Sequence, residues 1–157
     1  MGEIDMKNRN SGFTLVELLI VVFLIGIVAA IGASSWNRYV QNTNFRAAAR
    51  DIEADIQQMK ELKINNHNLA HTITFDVGSN NYTKAGIVNE TKSPASFGPS
   101  IILSALNLGG GTTITFTDRG LLSPSTGSIV LKKTDRNSTA TITFSATGRT
   151  YVTFNMQ

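Results

Sequence analysis

The chain has 157 residues, enough for one domain of ordinary size with an appendage and too few for two full domains. Its 14 Lys and Arg residues against 11 Asp and Glu residues give a net charge of +3, too weak for the dense cationic surface of a dedicated nucleic-acid binder. The sequence has no cysteine, which excludes zinc–thiolate sites, a thiol nucleophile and disulfide bonds.

Residues 13–33 form an apolar run of 21 residues with a single charge, Glu17. A helix of that length is about 31 Å long, which matches the hydrocarbon thickness of a bilayer. Residues 1–12 are polar and carry Lys7 and Arg9, a modest bias for a cytoplasmic amino terminus. A conventional cleaved signal peptide is the alternative, but its apolar region usually has about 7–15 residues. We therefore expect a membrane helix that is retained.

The helical pattern continues through residues 36–67, which contain neither proline nor glycine. The larger apolar residues recur at helical spacing, with two alanines between them: Phe45, Ala48, Ala49, Ile52, Ile56 and Met59. Charges are assigned to the other, solvated side: Arg46, Arg50, Asp51, Glu53, Asp55 and Lys60. The pattern predicts one helix of roughly fifty residues whose second half packs on the rest of the chain.

From His71 onward the sequence alternates with a period of two, which is typical of half-buried strands. Glycine, asparagine, proline and serine separate the strand-like runs, which are residues 71–76, 81–86, 100–104, 112–118, 127–133, 139–145 and 149–155. The predicted fold class is α+β, with a long amino-terminal helix packed on an antiparallel β domain.

Two parts of the sequence resemble a known family. Gly12-Phe13-Thr14-Leu15-Val16-Glu17, followed directly by the apolar run, resembles the prepilin signal of type IV pilins and type II secretion pseudopilins. The carboxyl half resembles the GspH/FimT group of minor pilins and pseudopilins, through residues 116–120, 127–131 and 142–149. The resemblance implies a pilin-like fold and a structural role, not an enzyme.

The resemblance also implies roles for three residues. Prepilin peptidase would cleave between Gly12 and Phe13, and Phe13 would then be N-methylated. Glu17 would pair with the positively charged amino terminus of a neighbouring subunit, because a bare carboxylate inside the bilayer is costly. Other pilins, prepilin peptidase and the inner membrane are the expected partners.

The expected domain organisation follows from these roles. Residues 1–12 are a leader peptide, 13–35 the transmembrane half of the helix, 36–67 its amphipathic half and 68–157 a periplasmic β domain. Many major pilins carry a proline about twenty residues into the helix and a carboxyl-terminal disulfide, whereas this chain has Ser34 and Ser35 in that region and no cysteine. Both departures favour a minor pilin or pseudopilin over a major shaft subunit.

A tip subunit that binds DNA or a surface is the alternative function. Four cations lie on or beside the last strands and are candidate phosphate contacts: Lys132, Lys133, Arg136 and Arg149. Some FimT-like pilins bind DNA through Gly-Arg-any-Arg, but here the second arginine is Tyr151. A membrane-anchored domain with no assembly role is less favoured, since it leaves Gly12 and Glu17 unexplained.

Evidence for other chemistry is weak. His67 and His71 have a spacing that two ligands of one metal could use, but no third ligand or HExxH pattern accompanies them. We expect solvated loop histidines, no metal and no cofactor. With no Ser/His/Asp set or phosphate loop either, nothing in the sequence favours an enzyme.

Overall fold

The computed structural model describes residues 13–157, apart from the side chains of residues 31–35. The predicted leader with Gly12, and the side chains of Ser34 and Ser35, lie outside the described residues. One helix, α1, spans Leu15–Asn65. Contacts divide the chain into two compact units, one ending at Tyr39 and the other running from Val40 to Gln157. The predicted long helix is confirmed.

Nine strands follow α1 in the part of the chain that the structure describes. They are β1 (Thr72–Asp76), β2 (Asn81–Ala85), β3 (Glu90–Lys92), β4 (Ile101–Asn107), β5 (Thr113–Phe116), β6 (Leu122–Ser123), β7 (Thr126–Lys133), β8 (Thr139–Ser145) and β9 (Thr150–Asn155). A short 3₁₀ turn, Pro94–Ser96, precedes β4. All seven predicted strand regions are confirmed.

The strands form two antiparallel sheets, where the sequence predicted a single β domain without this division. The first sheet has the order β3-β2-β1-β5-β6 and the second has the order β4-β7-β8-β9. The chain crosses from the first sheet to the second at β4, returns for β5 and β6, and then completes the second sheet with β7, β8 and β9.

The apolar stripe of α1 is the helical side of the core in the unit that begins at Val40. Phe45, Ile52, Ile56 and Met59 are each no more than 1% exposed, as the spacing predicted. The strands supply the other side of the core with alternate residues: Ile73, Phe75, Ile101, Leu103, Ile114, Phe116, Ile129, Leu131, Ile142 and Phe144. Burial of these apolar faces stabilises the helix on the sheets.

The charged side of the helix differs from the prediction at one position. Asp55 is 5% exposed, so it is not part of a solvated face. Its carboxylate accepts hydrogen bonds from side chains of β2, which compensate for its burial. Asp55 lies three residues after Ile52 and four before Met59, so helical spacing places it beside the apolar stripe. Its partners could not be identified from that spacing, because they come from a strand.

Candidate functional site

The amino-terminal end of α1 is capped by the sequence that carries the prepilin resemblance. The backbone N–H of Glu17 donates to Thr14 Oγ1 at 3.2 Å, so Thr14 is the capping residue and Glu17 stands three positions later. Thr-x-x-Glu is the order of a capping box, and a carboxylate in the first helical turn interacts favourably with the helix dipole. The motif therefore begins the helix and places an acidic side chain in its exposed first turn.

The large apolar side chains around Glu17 are exposed. Phe13 is 84% exposed, and those from Leu15 to Val28 range from 44% (Ile27) to 73% (Leu15). Among the described residues, no helix is long and apolar enough to cross a membrane. An apolar surface of this extent is typical of a segment that binds lipid or other protein.

A buried network of charges joins α1 to the first sheet. Lys84 Nζ donates to Asp55 Oδ1 at 2.8 Å, and Tyr82 Oη donates to Asp55 Oδ2 at 2.7 Å. Lys92 Nζ lies 2.9 Å from Asp55 and 3.0 Å from Asp51. Lys84 and Tyr82 are 2% and 1% exposed, so each depends on these partners to compensate for lost hydration.

The network shifts the pKa of its members in the directions that keep it charged. Burial alone would raise the pKa of Asp55, but hydrogen bonds from Lys84, Tyr82 and Lys92 outweigh it and hold that pKa below 3.8. Burial alone would lower the pKa of Lys84, yet its bonds to Asp55 and Glu90 raise it above 10.5. Burial, together with the neighbouring carboxylate of Asp55, raises the pKa of Tyr82, so its hydroxyl stays a donor.

Two of the carboxyl-half segments that resemble GspH/FimT close on the helix at Lys60. Gly120 and Gly148 have φ angles of +71° and +73°, and a Cβ on Gly148 would lie 2.8 Å from Lys60 Cδ. Lys60 Nζ donates to the carbonyl of Thr147 at 3.0 Å, and Gln57 Nε2 donates to the carbonyl of Gly148 at 2.9 Å. Because glycine tolerates positive φ and has no Cβ, Gly120 and Gly148 let two turns approach the helix closely. In these two segments the glycines therefore have a structural role.

Another basic side chain fixes the end of α1. Lys63 Nζ donates to the carbonyls of His67 and Leu69 at 2.7 and 2.9 Å and pairs with Asp118 at 2.6 Å. Both carbonyls belong to the connection that follows α1, so Lys63 ties the last turn of the helix to that connection. The pairing holds the pKa of the exposed Asp118 carboxyl below 3.8.

The structure does not gather the four candidate DNA contacts into one surface. Lys133 is 1% exposed, and its Nζ donates to Gln41 Oε1 at 2.9 Å and pairs with Asp135 at 3.3 Å. Its inclusion among the phosphate contacts was wrong, because its side chain alternates into the interior from β7 while Lys132 lies on the opposite face.

Two of the three remaining cations, both arginines, lie near opposite ends of β8. Arg136 is in the connection before β8, whereas Arg149 is in the turn after it. Since β8 has seven residues, these two turns are about 20 Å apart. Arg149 is exposed and lines an open groove with Lys60 and Tyr151, away from Lys132.

The two histidines lie in different environments, since His67 is exposed and His71 is buried. The side chain of His67 is 61% exposed and lies 3.9 Å from Asp118, whereas His71 is 1% exposed with Nδ1 3.0 Å from the carbonyl of Leu69. Within the described residues, no group of three or more His, Asp or Glu side chains could hold a metal. The expectation of a solvated loop histidine is wrong for His71, which lies against Gly86.

Comparison with known proteins bears on the amino-terminal segment. Residues 7–33 match a family model described as the prokaryotic N-terminal methylation motif. The Type IV major fimbrial protein FimA of Dichelobacter nodosus is 50% identical over 38 residues, which is 24% of each chain. A Fimbrial protein of the same organism is 51% identical over 35 residues, or 22% of each chain. No solved structure matches.

These matches extend over about a quarter of the length of the curated relatives. The matched residues 7–33 include the capped start of α1 and its exposed apolar surface. The helix-on-sheet fold agrees with the order predicted from the apolar pattern. The amino-terminal segment of the chain therefore carries a prokaryotic N-terminal methylation motif and is similar to the corresponding segment of type IV fimbrial proteins.

Proposed function

We propose that the chain is a minor pilin or pseudopilin of the GspH/FimT type, a non-enzymatic subunit of a type IV pilus or a type II secretion pseudopilus. It takes part in filament initiation or in protein export. The observation that carries the proposal is the start of α1, where the methylation motif continues into a capped helix with exposed apolar side chains. Such a helix needs other apolar surfaces around it, which the bilayer and neighbouring subunits provide.

Three features support a minor subunit. The similarity to major fimbrial proteins extends over only about a quarter of the chain. The sequence contains no cysteine to close a carboxyl-terminal loop. Gly120 and Gly148, in the segments that resemble GspH/FimT, are positions where the backbone has a positive φ and close contacts.

Prepilin peptidase is proposed to cut between Gly12 and Phe13, after which Phe13 is methylated. Residues 13–33 then anchor the subunit in the bacterial inner membrane by one pass, with the β domain in the periplasm. The side chains of residues 31–33, at the end of this run, lie outside the described part of the structure. A run of 21 residues with one charge has the length needed for this.

Glu17 is proposed to set the subunit's register against its neighbours. Its carboxylate lies in the first helical turn, and within the membrane it needs a positive partner. After cleavage, the chain's own amino terminus at Phe13 would stand four residues before Glu17 on the same chain, and helix geometry would point its amine away from the carboxylate. A neighbour displaced along the filament axis can instead bring its amine to the carboxylate. The pair would then form only on assembly.

Intact-mass measurement of the protein purified from membranes tests this proposal. The expected mass is that of residues 13–157 with one added methyl group. Gly12→Ala should retain the leader, because a side chain before the cleaved bond obstructs the peptidase, whereas the control Gly2→Ala should be processed normally. A mass that corresponds to cleavage near Ala33 would show instead a conventional signal peptide and overturn the proposal.

DNA binding at a filament tip is the second candidate, favoured by one observation only. Arg149 and Tyr151 lie two residues apart at the start of the edge strand β9, and both line the open groove beside Lys60. An arginine and an aromatic ring can contact phosphate and base. The burial of Lys133 and the distance to Arg136 leave this surface with little charge, so the structural role is preferred.

A further inference from the structure

Two aromatic side chains are exposed on α1 shortly after the apolar run. Trp36 and Tyr39 are 67% and 66% exposed, and their ring centroids are 6.1 Å apart. They are three residues apart on the helix, so they lie on neighbouring positions of one face. Both belong to the unit that ends at Tyr39, outside the core of the unit that follows.

The position of this pair along the helix matches one boundary of a bilayer. The apolar run ends at Ala33, and the helical rise from Phe13 to Trp36 is about 35 Å. The hydrocarbon core is about 30 Å thick, so a helix whose apolar run fills it places Trp36 just beyond the hydrocarbon.

The chemistry of the pair suits that boundary. Indole and phenol rings have an apolar body and a polar N–H or O–H group, and they are enriched at the level of lipid headgroups. Arg38, which lies between them in sequence, is exposed and can reach lipid phosphates. Before residue 36 the run has no such polar aromatic residue, because its only rings are those of Phe13 and Phe23.

We propose that Trp36 and Tyr39 form an aromatic belt that binds the headgroup region of the phospholipid bilayer. The belt contacts the leaflet at the carboxyl end of the apolar run and fixes how deeply residues 13–33 enter the membrane. This inference rests on the proposed membrane anchor and adds the lipid-facing residues that position it.

Trp36 offers a direct test, because it is the chain's one tryptophan and its fluorescence reports a single position. The full chain is reconstituted in phosphatidylcholine–phosphatidylglycerol vesicles that carry bromine either near the headgroup or near the end of the acyl chain. Trp36 emission should shift to the blue, and bromine near the headgroup should quench it more strongly than deep bromine. Aqueous iodide should quench Trp36 in the reconstituted chain less than it quenches the same tryptophan in a peptide of residues 35–41 dissolved in buffer without detergent.

A matched pair of variants tests the second ring. Tyr39→Ser should change the depth profile of Trp36 quenching, because half of the belt is lost. Tyr151→Ser should leave it unchanged, since that exposed tyrosine lies on β9 in the other unit. An unchanged profile in Tyr39→Ser would remove Tyr39 from the proposal.

Alkaline extraction of the same vesicles separates this inference from the proposed function. If the chain is extracted with the aqueous phase, the membrane anchor is wrong and the belt with it. If the chain stays in the vesicles but iodide quenches Trp36 fully and neither brominated lipid does, the anchor stands and the belt is overturned. Shielding of Trp36 that appears only after partner pilins are added would assign the rings to a subunit contact instead, which also overturns the belt.

Discussion

Replacing Asp55 with asparagine should destabilise the unit from Val40 to Gln157 strongly. The substitution keeps the side chain's shape and an oxygen that can accept from the Tyr82 hydroxyl. It removes the negative charge that lies 2.8 Å from Lys84 Nζ, where the lysine side chain is only 2% exposed. An ammonium that loses its buried partner keeps its desolvation cost without the compensating attraction.

The magnitude follows from the partners that remain. Breaking a buried pair costs about 3–5 kcal/mol. Lys84 keeps Glu90 at 2.7 Å and Lys92 keeps Asp51 at 3.0 Å, so neither cation is left alone. We therefore expect Asp55→Asn to lower the free energy of unfolding by about 3 kcal/mol, the lower end of that range.

The effect should depend on pH in a defined direction. Because the pKa of Asp55 in the folded protein lies below 3.8, its stabilising contribution is complete above pH 3.8 and is lost as the pH falls through the folded value. The difference in stability between wild type and Asp55→Asn should therefore shrink below pH 3.8. Contributions from Lys84 and Lys92, whose pKa values are raised above 10.5, are lost only at higher pH.

Urea denaturation of the chain without residues 1–36, followed by circular dichroism at several pH values, measures both quantities. Asp51→Asn is the matched control, one helical turn away; its side chain is 30% exposed, and the change should cost about 1 kcal/mol or less. Equal losses in the two variants, or a loss for Asp55→Asn that does not diminish in acid, would refute the reasoning.

Three further predictions concern packing and binding. Gly148→Ala should cost about 1–3 kcal/mol more than Gly110→Ala in urea denaturation, because both glycines have positive φ but only a Cβ on Gly148 meets Lys60; equal costs would contradict this. Removing residues 1–36 should give a folded, soluble monomer by ultracentrifugation, whereas removing residues 1–66 should expose the core face of the sheets and cause aggregation. The fragment that lacks residues 1–36 should not be retained by plasmid DNA at moderate salt. Retention that falls steeply as the salt concentration rises would restore the DNA-binding alternative.

The apolar periodicity predicted the long helix and seven of the nine described strands. The stripe from Phe45 to Met59 and the alternating residues of β1, β7 and β8 were identifiable because both faces of the core are built from regular spacing. β3 and β6 were not predicted. They have three and two residues with little or no alternation, and pairing with neighbouring strands defines them.

The partners of the buried charges were beyond the reach of the sequence. Lys133 continues the alternation of Ile129 and Leu131, and Asp55 lies three residues after Ile52, so spacing places both toward the core. The side chains that compensate for their burial, such as Gln41 and Lys84, are 92 and 29 residues away. The amino-terminal motif could be recognised from the sequence, because Gly12, Phe13, Glu17 and the apolar run lie in one contiguous segment, and a methylation-motif model matches residues 7–33. The division into two sheets depends on strand order, which no single segment encodes.

Capture by partner pilins tests the proposed pairing of Glu17 with a neighbouring subunit most directly. Glu17→Ala and the control Glu61→Ala, another exposed carboxylate on α1, are compared with wild type at equal membrane abundance by crosslinking and co-purification. Removing a carboxylate from the bilayer relieves a cost of roughly a few kcal/mol, so Glu17→Ala should insert at least as well as wild type. We predict that it nevertheless loses most partner capture while Glu61→Ala retains it; undiminished capture by Glu17→Ala would contradict a pilin-like subunit held in register by this carboxylate.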